Sequence, residues 1–406
     1  MDEQEAITKA QALLNRPGDA NVSPLAVYRR AAKADSVQQR RPNVVLIMME
    51  SMSAEFMKHF GQSETLTPFL DSLYTRSISF RNFYSAGIHT NHGLYATLYS
   101  FPAMMKRNLM KGSVIPRYSG LPTVLKENGY YNLFFMTHEG QYDNMNAFFR
   151  TNGYDEVFSQ EDYPADKVVN SFGVQDDFLY DYAIPVLNQR AATGQPFFAT
   201  LLSISNHPPY VIPPFFHPKT SEPETQIVEY ADWALRQFFE EARKQPWFDN
   251  TIFVLEGDHG KLVGDAECEL PESYNHIPLM IYSSRIQPEE KTTFGGQVDI
   301  QPTILGLLNI DYLQNNFGVD LLKEERPCMF YTADNMVVGR NDTLLYLYNY
   351  ETQQELTYDI GNGKLNAVPM DDSFLPLKEY SFSMLQSAEF LVKHGKTLNS
   401  IPFTQQ

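Results

Sequence analysis

Nowhere does this 406-residue chain stay apolar for the roughly 18 positions a membrane helix needs, so no segment reads as a span. The opening, MDEQEAITKAQALL, is acidic and helical in character and lacks the order of a signal peptide. Cysteine is nearly absent. Cys268 and Cys328 stand far apart without CxxC spacing, which argues against a structural zinc site and leaves a disulfide unrequired. Basic residues are outnumbered, 32 Lys and Arg against 49 Asp and Glu, for a formal charge of −17. That balance excludes general binding to nucleic acid or to an anionic membrane surface. The chain also lacks G-x-G-x-x-G after its first strand, G-x-S-x-G and a Walker A sequence, which sets aside a dinucleotide-binding or serine-hydrolase reading.

What is present is a folded chain: 43% hydrophobic residues with ordinary glycine and proline. Residues 1–42 read as one or two polar helices broken at RPGD, with Arg29, Arg30, Arg40 and Arg41 toward the end: an N-terminal helical linker. The run NVVLIMM, 43–49, is a strand covered on both faces. Further strands are expected at 130–137, 196–205, 251–258 and 277–284, with helical patterns between them in TPFLDSLYTR, LPTVLKENG, FGVQDDFLYDYAIPVLNQRAA and TQIVEYADWALRQFFEEARKQ. Alternation of this kind predicts an α/β fold, a mainly parallel central sheet with helices on both faces, over 43–319. From about 320 to 406, DTLLYLYNYETQQELTYDI reads as an antiparallel hairpin and SFLPLKEYSFSMLQSAEFLVKHG as a closing helix: a small C-terminal α+β subdomain.

Ligands gather beyond the carboxyl ends of strands in such sheets. Just past the apolar runs come Glu50, then His138 and Glu139, then Asn206 and His207, then Asp258, His259 and Lys261. Two carboxylates, Glu50 and Asp258, with the imidazole of His259 suit one divalent ion such as Mn²⁺, Zn²⁺ or Mg²⁺. The stretch SAGIHTNHGLYATLYSFPA, 85–103, offers the Thr90 hydroxyl as a fourth ligand between His89 and His92. A cation makes a bound alcohol more acidic, so Thr90 becomes a nucleophile for phosphorus or sulfur. A plain N-cap role for Thr90, ahead of a helix near Gly93, can coexist with that chemistry. His207 would orient the substrate or move a proton. His92, His138, Glu139, Tyr142, Asp143, Lys261 and His276 are candidates to contact substrate.

NVVLIMMES, GIHTNHG, SNHPPY and EGDHG together resemble, in order and over roughly residues 42–310, the lipoteichoic acid synthase-like branch of the alkaline phosphatase and sulfatase superfamily. The resemblance implies one Mn²⁺-like ion (Zn²⁺, Mg²⁺ or Ca²⁺ in its place) held by Glu50, Thr90, Asp258 and His259, a covalent intermediate on Thr90, and His207 in the substrate site. It implies a phosphate or sulfate ester substrate, small or linked to lipid or glycan. It also implies an extracytoplasmic location, with membrane attachment through N-terminal helices outside this chain. Two departures stand out. The Trp-Asn-Arg grip of phosphoglycerol synthases is replaced in THEGQYDNMNAFFRTNGYDEVF, and the cysteine or serine motif converted to formylglycine in other sulfatases is missing. The alternative on the same fold is a catalytically silent binding or sensing module.

Overall fold

The structure, a computed structural model, describes residues 1–15, 20–21, 25, 28–30, 41–112 and 114–399. RPGD at 16–19 and Arg40 lie outside these residues, as does the end of the chain from 400. Eight strands build the central sheet: β1 Asn43–Met49, β2 Ile78–Tyr84, β3 Tyr131–Met136, β4 Glu156–Phe158, β5 Phe197–Leu202, β6 Thr251–Gly257, β7 Leu279–Tyr282 and β8 Glu289–Gly296. Their spatial order is β8-β2-β7-β6-β1-β5-β3-β4, and β7 alone opposes its neighbours. The mainly parallel sheet is as expected from the alternation of strand and helix. Sequence pattern missed β2, β4 and β8, because ISFRNFY and EEKTTFGG expose residues and break the apolar run.

Every residue of β1 is buried, and its side chains alternate between two cores. Val44, Leu46 and Met48 join one hydrophobic cluster with the helix Thr90–Tyr99. Val45, Ile47 and Met49 join the other, with the helices Asp176–Ala192 and Pro223–Ala242. The longest of these helices starts on Pro223, whose missing N–H costs nothing in a first turn, and buries Ile227, Tyr230, Ala234, Leu235 and Phe238 along one face. Layering of this kind puts the sheet's polar strand ends, rather than its faces, within reach of solvent.

Beyond the sheet, five antiparallel strands between Met329 and Ala367 pack with the helix Leu375–Lys393. Arg326, fully buried, fixes this part: it donates to Asp299 Oδ1 and Oδ2 from Nε at 3.1 and 2.9 Å, and to the Tyr380 hydroxyl at 2.6 Å. At the other end of the chain the helix Glu3–Leu14 lies against Leu375–Lys393, with Lys9 bonded to Glu379 at 2.9 Å. Of the one or two N-terminal helices read from sequence, one is found among the described residues; beyond it the short strand 20–21 pairs with 28–30, which in turn pairs with Leu313–Asn315. Cys268 and Cys328 are free thiols. Among the described residues no helix is long and apolar enough to cross a membrane.

Candidate functional site

The pairing of β6 with β1 sets Gly257 opposite Met49, so the next residues, Asp258 and Glu50, leave the sheet side by side. Ser51 then turns the chain in a left-handed conformation, φ 49°, and its amide donates to Asp258 Oδ1 at 2.8 Å. The Ser51 hydroxyl donates to Glu50 Oε1 at 2.6 Å. Asn206, after the neighbouring β5, braces the turn through the carbonyls of Glu50 and Ser51 at 3.2 and 3.0 Å. Across the site, the loop after β2 delivers the helix Thr90–Tyr99. Thr90 is its first residue and His89 its N-cap, without a side-chain cap bond. The expected N-cap role for Thr90 therefore falls one residue earlier, and the Thr90 hydroxyl is free to face Glu50 Oε2 at 3.4 Å.

Ligand atoms of Glu50, Asp258 and His259 all lie within 4.8 Å of one another. His259 Nδ1 stands 2.7 Å from the Gly260 carbonyl. With the proton there, Nε2 presents its lone pair, 3.7 Å from both Glu50 Oε1 and Asp258 Oδ2. Asp258 Oδ2 is buried and has no hydrogen-bond partner. Burial, and next the charge of Asp258, push the Glu50 carboxyl well above its ordinary range, against the pull of the Ser51 and Thr90 hydroxyls. Two buried carboxylates facing each other, one with an orphaned oxygen, and an imidazole lone pair turned toward them fit a divalent cation.

These residues floor a cavity of about 690 Å³. His89, Thr90, Tyr142, Asp143, His207, Tyr210, Glu224 and Lys261 are among those lining it, and among the described residues no arginine is. The Lys261 ammonium donates to Asn206 Oδ1 and the Tyr210 hydroxyl at 2.5 and 3.2 Å, and burial draws it down to about 8, partly offset by Glu50 and Glu224. His207 has Nδ1 2.6 Å from the Pro208 carbonyl and rests on the Phe172 ring, centroids 4.0 Å apart. Asp143, itself left-handed at φ 50°, pairs with Lys111 at 2.6 Å on the cavity wall.

Four expected substrate contacts stand outside the lining. His92 is buried: two residues beyond Thr90, it points to the far side of the helix, over Gly87. Burial, helped by His89, draws it down to about 3, which leaves it neutral. His138 is buried behind Tyr142, ring centroids 4.8 Å apart, and Glu139 bonds outward to Gln141. His276 is taken up by Glu55 and the Arg81 carbonyl, both at 2.8 Å. Sequence reasoning missed Ser51 and Tyr210. Tyr210 closes the block SNHPPY and was within reach of the strand-end argument; Ser51 acts through its backbone angle, which leaves no sequence signal.

Comparison with known proteins shows the family and the fold. The sulfatase family profile matches residues 42–310. The chain is 25% identical over 350 residues to lipoteichoic acid synthase 1 of Bacillus subtilis, covering 79% of this chain and 53% of that one. It is 26% identical over 322 residues to phosphoglycerol transferase I of Xanthomonas campestris, covering 75% and 46%. The chain thus spans about half the length of the curated relatives it matches. An alkaline phosphatase superfamily protein of Vibrio parahaemolyticus superposes with TM-score 0.86 at 26% identity, covering 98% and 97%. The lipoteichoic acid synthase LtaP of Listeria monocytogenes shares the fold, TM-score 0.75 at 21% identity, covering 87% and 93%.

Proposed function

Because the chain belongs to the sulfatase family, on its lipoteichoic acid synthase-like branch, we propose that it cleaves a phosphate or sulfate ester through Thr90, with one divalent metal ion, Mn²⁺ first. The observation that carries this reading is the Thr90 hydroxyl 3.4 Å from Glu50, beside ligand atoms of Glu50, Asp258 and His259 gathered within 4.8 Å. A cation held by those four residues would supply the positive charge that acidifies the hydroxyl and offsets charge on the ester's nonbridging oxygens.

The chain's own groups account for the rest. Thr90 opens a helix whose first N–H groups have no intrahelical partner, and that field favours an oxyanion on its side chain. Glu50 Oε2 is the acceptor at hand for the hydroxyl proton. As Thr90 Oγ1 bonds to phosphorus or sulfur, the bond to the leaving alcohol breaks, and protonated His207 gives that oxygen its proton. His207 then takes a proton from water or an acceptor alcohol, whose oxygen bonds to phosphorus or sulfur as the bond to Thr90 Oγ1 breaks, and Thr90 recovers its proton from Glu50. Lys261 is the cation for the ester's remaining oxygen, a role that an arginine-free lining leaves to it. The same proposal, from the likeness to lipoteichoic acid synthase 1, includes an extracytoplasmic site with membrane attachment.

The silent-module reading draws on that same absence of arginine. Metal analysis with a panel of aryl phosphates and sulfates separates the two. We expect turnover that needs Mn²⁺, a phosphoryl or sulfuryl adduct on the Thr90 peptide, and loss of both in folded Thr90→Ala. Full metal occupancy without turnover would favour the silent module. Wild-type rates in Thr90→Ala would end the proposed mechanism.

A further inference from the structure

Glu256 interrupts an otherwise apolar strand, TIFVLEG, and is fully buried. Thr97 is also fully buried and donates to Glu256 Oε1 at 2.6 Å. A helical threonine ordinarily returns its hydroxyl to a carbonyl of the preceding turn; this one reaches across to the sheet. Thr90, Gly93 and Thr97 recur at the i, i+3, i+7 spacing of one helix face. Glu256 lies in β6, two residues before Asp258, which directly follows the strand's last residue, Gly257.

The spacings match. Gly93 to Thr97 covers about 6 Å of helix, and Asp258 back to Glu256 covers about 6.6 Å of strand. At the other end of this contact a Cβ on Gly93 would fall 2.2 Å from the Asp258 carbonyl oxygen, so helix and strand touch backbone to side. Gln297 closes the gap: its Nε2 donates to the carbonyls of Gly257 and Asp258 at 3.1 and 2.7 Å, and its Oε1 accepts from Ala86 at 2.9 Å. The helix bearing Thr90 is therefore registered on the strand bearing Asp258 and His259.

We propose that the Thr97–Glu256 hydrogen bond is a positioning device that fixes the axial register of the Thr90 helix on β6, and with it the distance from Thr90 Oγ1 to the Glu50–Asp258–His259 cluster. This rests on the reaction proposed above. Thr97→Val keeps the shape and removes the donor; Thr97→Ser keeps the donor; Thr97→Val/Glu256→Met replaces both partners with apolar groups and restores stability if the single variant folds poorly. A misplacement near 1 Å costs about 100-fold in rate. We expect kcat on an aryl phosphate to fall at least about tenfold in Thr97→Val, with KM within about twofold. Thr97→Ser should keep the wild-type kcat, and the double variant should regain Tm without regaining kcat. An unchanged kcat in Thr97→Val, or joint recovery of Tm and kcat in the double variant, overturns the proposal. If the wild type turns over no ester, the reaction reading fails, and a crystal structure of Thr97→Val decides this point separately. A Thr90 Oγ1 shifted away from Glu50 upholds the device; an unmoved one overturns it.

Discussion

Asp258→Asn is the sharpest perturbation of the site. Oδ1 of Asp258 accepts from the Ser51 and His259 amides at 2.8 and 2.7 Å, and an asparagine carbonyl keeps both bonds. Only Oδ2 changes, from an orphaned carboxylate oxygen to an NH₂ group that cannot ligate a cation. Without metal, wild-type Glu50 and Asp258 hold oxygens within 4.8 Å. Were both ionised, their repulsion would be at least about 3 kcal/mol at an effective dielectric near 20. Protonation of Glu50 relieves part of that, and the substitution removes the repulsion altogether. Metal-free Asp258→Asn should therefore melt at or above the metal-free wild type. Mn²⁺ at 100 times its Kd adds about 2.7 kcal/mol to a protein that binds it only when folded. For 406 residues that is a rise in Tm of about 3 °C. Calorimetric scans of both proteins, with and without Mn²⁺, check this: the rise should appear in the wild type and vanish in Asp258→Asn. The same rise in both, or a metal-free variant well below the metal-free wild type, would refute the reasoning.

His207→Ala should lower kcat by about 100-fold on alkyl esters and far less on nitrophenyl esters, whose leaving group needs no proton; steady-state rates on the two classes test this. On the proposed role of Lys261, Lys261→Met should raise KM at least about tenfold with the metal still bound, because the ester would lose that half-buried ammonium; elemental analysis beside kinetics shows whether the metal stays. His276 gives a pH signature of stability. Burial alone would lower its pKa, but the Glu55 charge and hydrogen bond outweigh it and the folded value is raised. The pair's stabilisation is therefore complete below the unfolded value near 6.5 and lost as pH rises through the folded one. Glu55→Gln should accordingly melt well below wild type below the unfolded value and approach it as pH rises through the raised folded one; a deficit constant with pH would contradict that sign.

Local pattern alone was enough for much of this protein. NVVLIMM and TIFVLEG are legible as central strands because burial on both faces demands continuous apolar runs. The polar residues that end those runs mark the candidate site, because parallel strands deliver their carboxyl ends to one edge. Glu50, Asp258, His259 and His207 could be named on that ground, and the order of the motifs added Thr90. Tertiary structure decided what pattern cannot express. The strands β2 and β8 are interrupted by exposed residues, and pairing defines them: β8 with β2, and β2 with β7. His92 and Thr90 are neighbours in sequence, yet the helical turn sends one into the core and the other to Glu50. His276 looked equally available until Glu55, 221 positions away, claimed its ring. Thr97 belongs to no motif, and Glu256 opens the block EGDHG with nothing in sequence to pair it with Thr97. Composition and periodicity report whether a residue is buried or exposed, whereas a site is a matter of which buried groups share a few ångströms, and only the packed chain sets those distances.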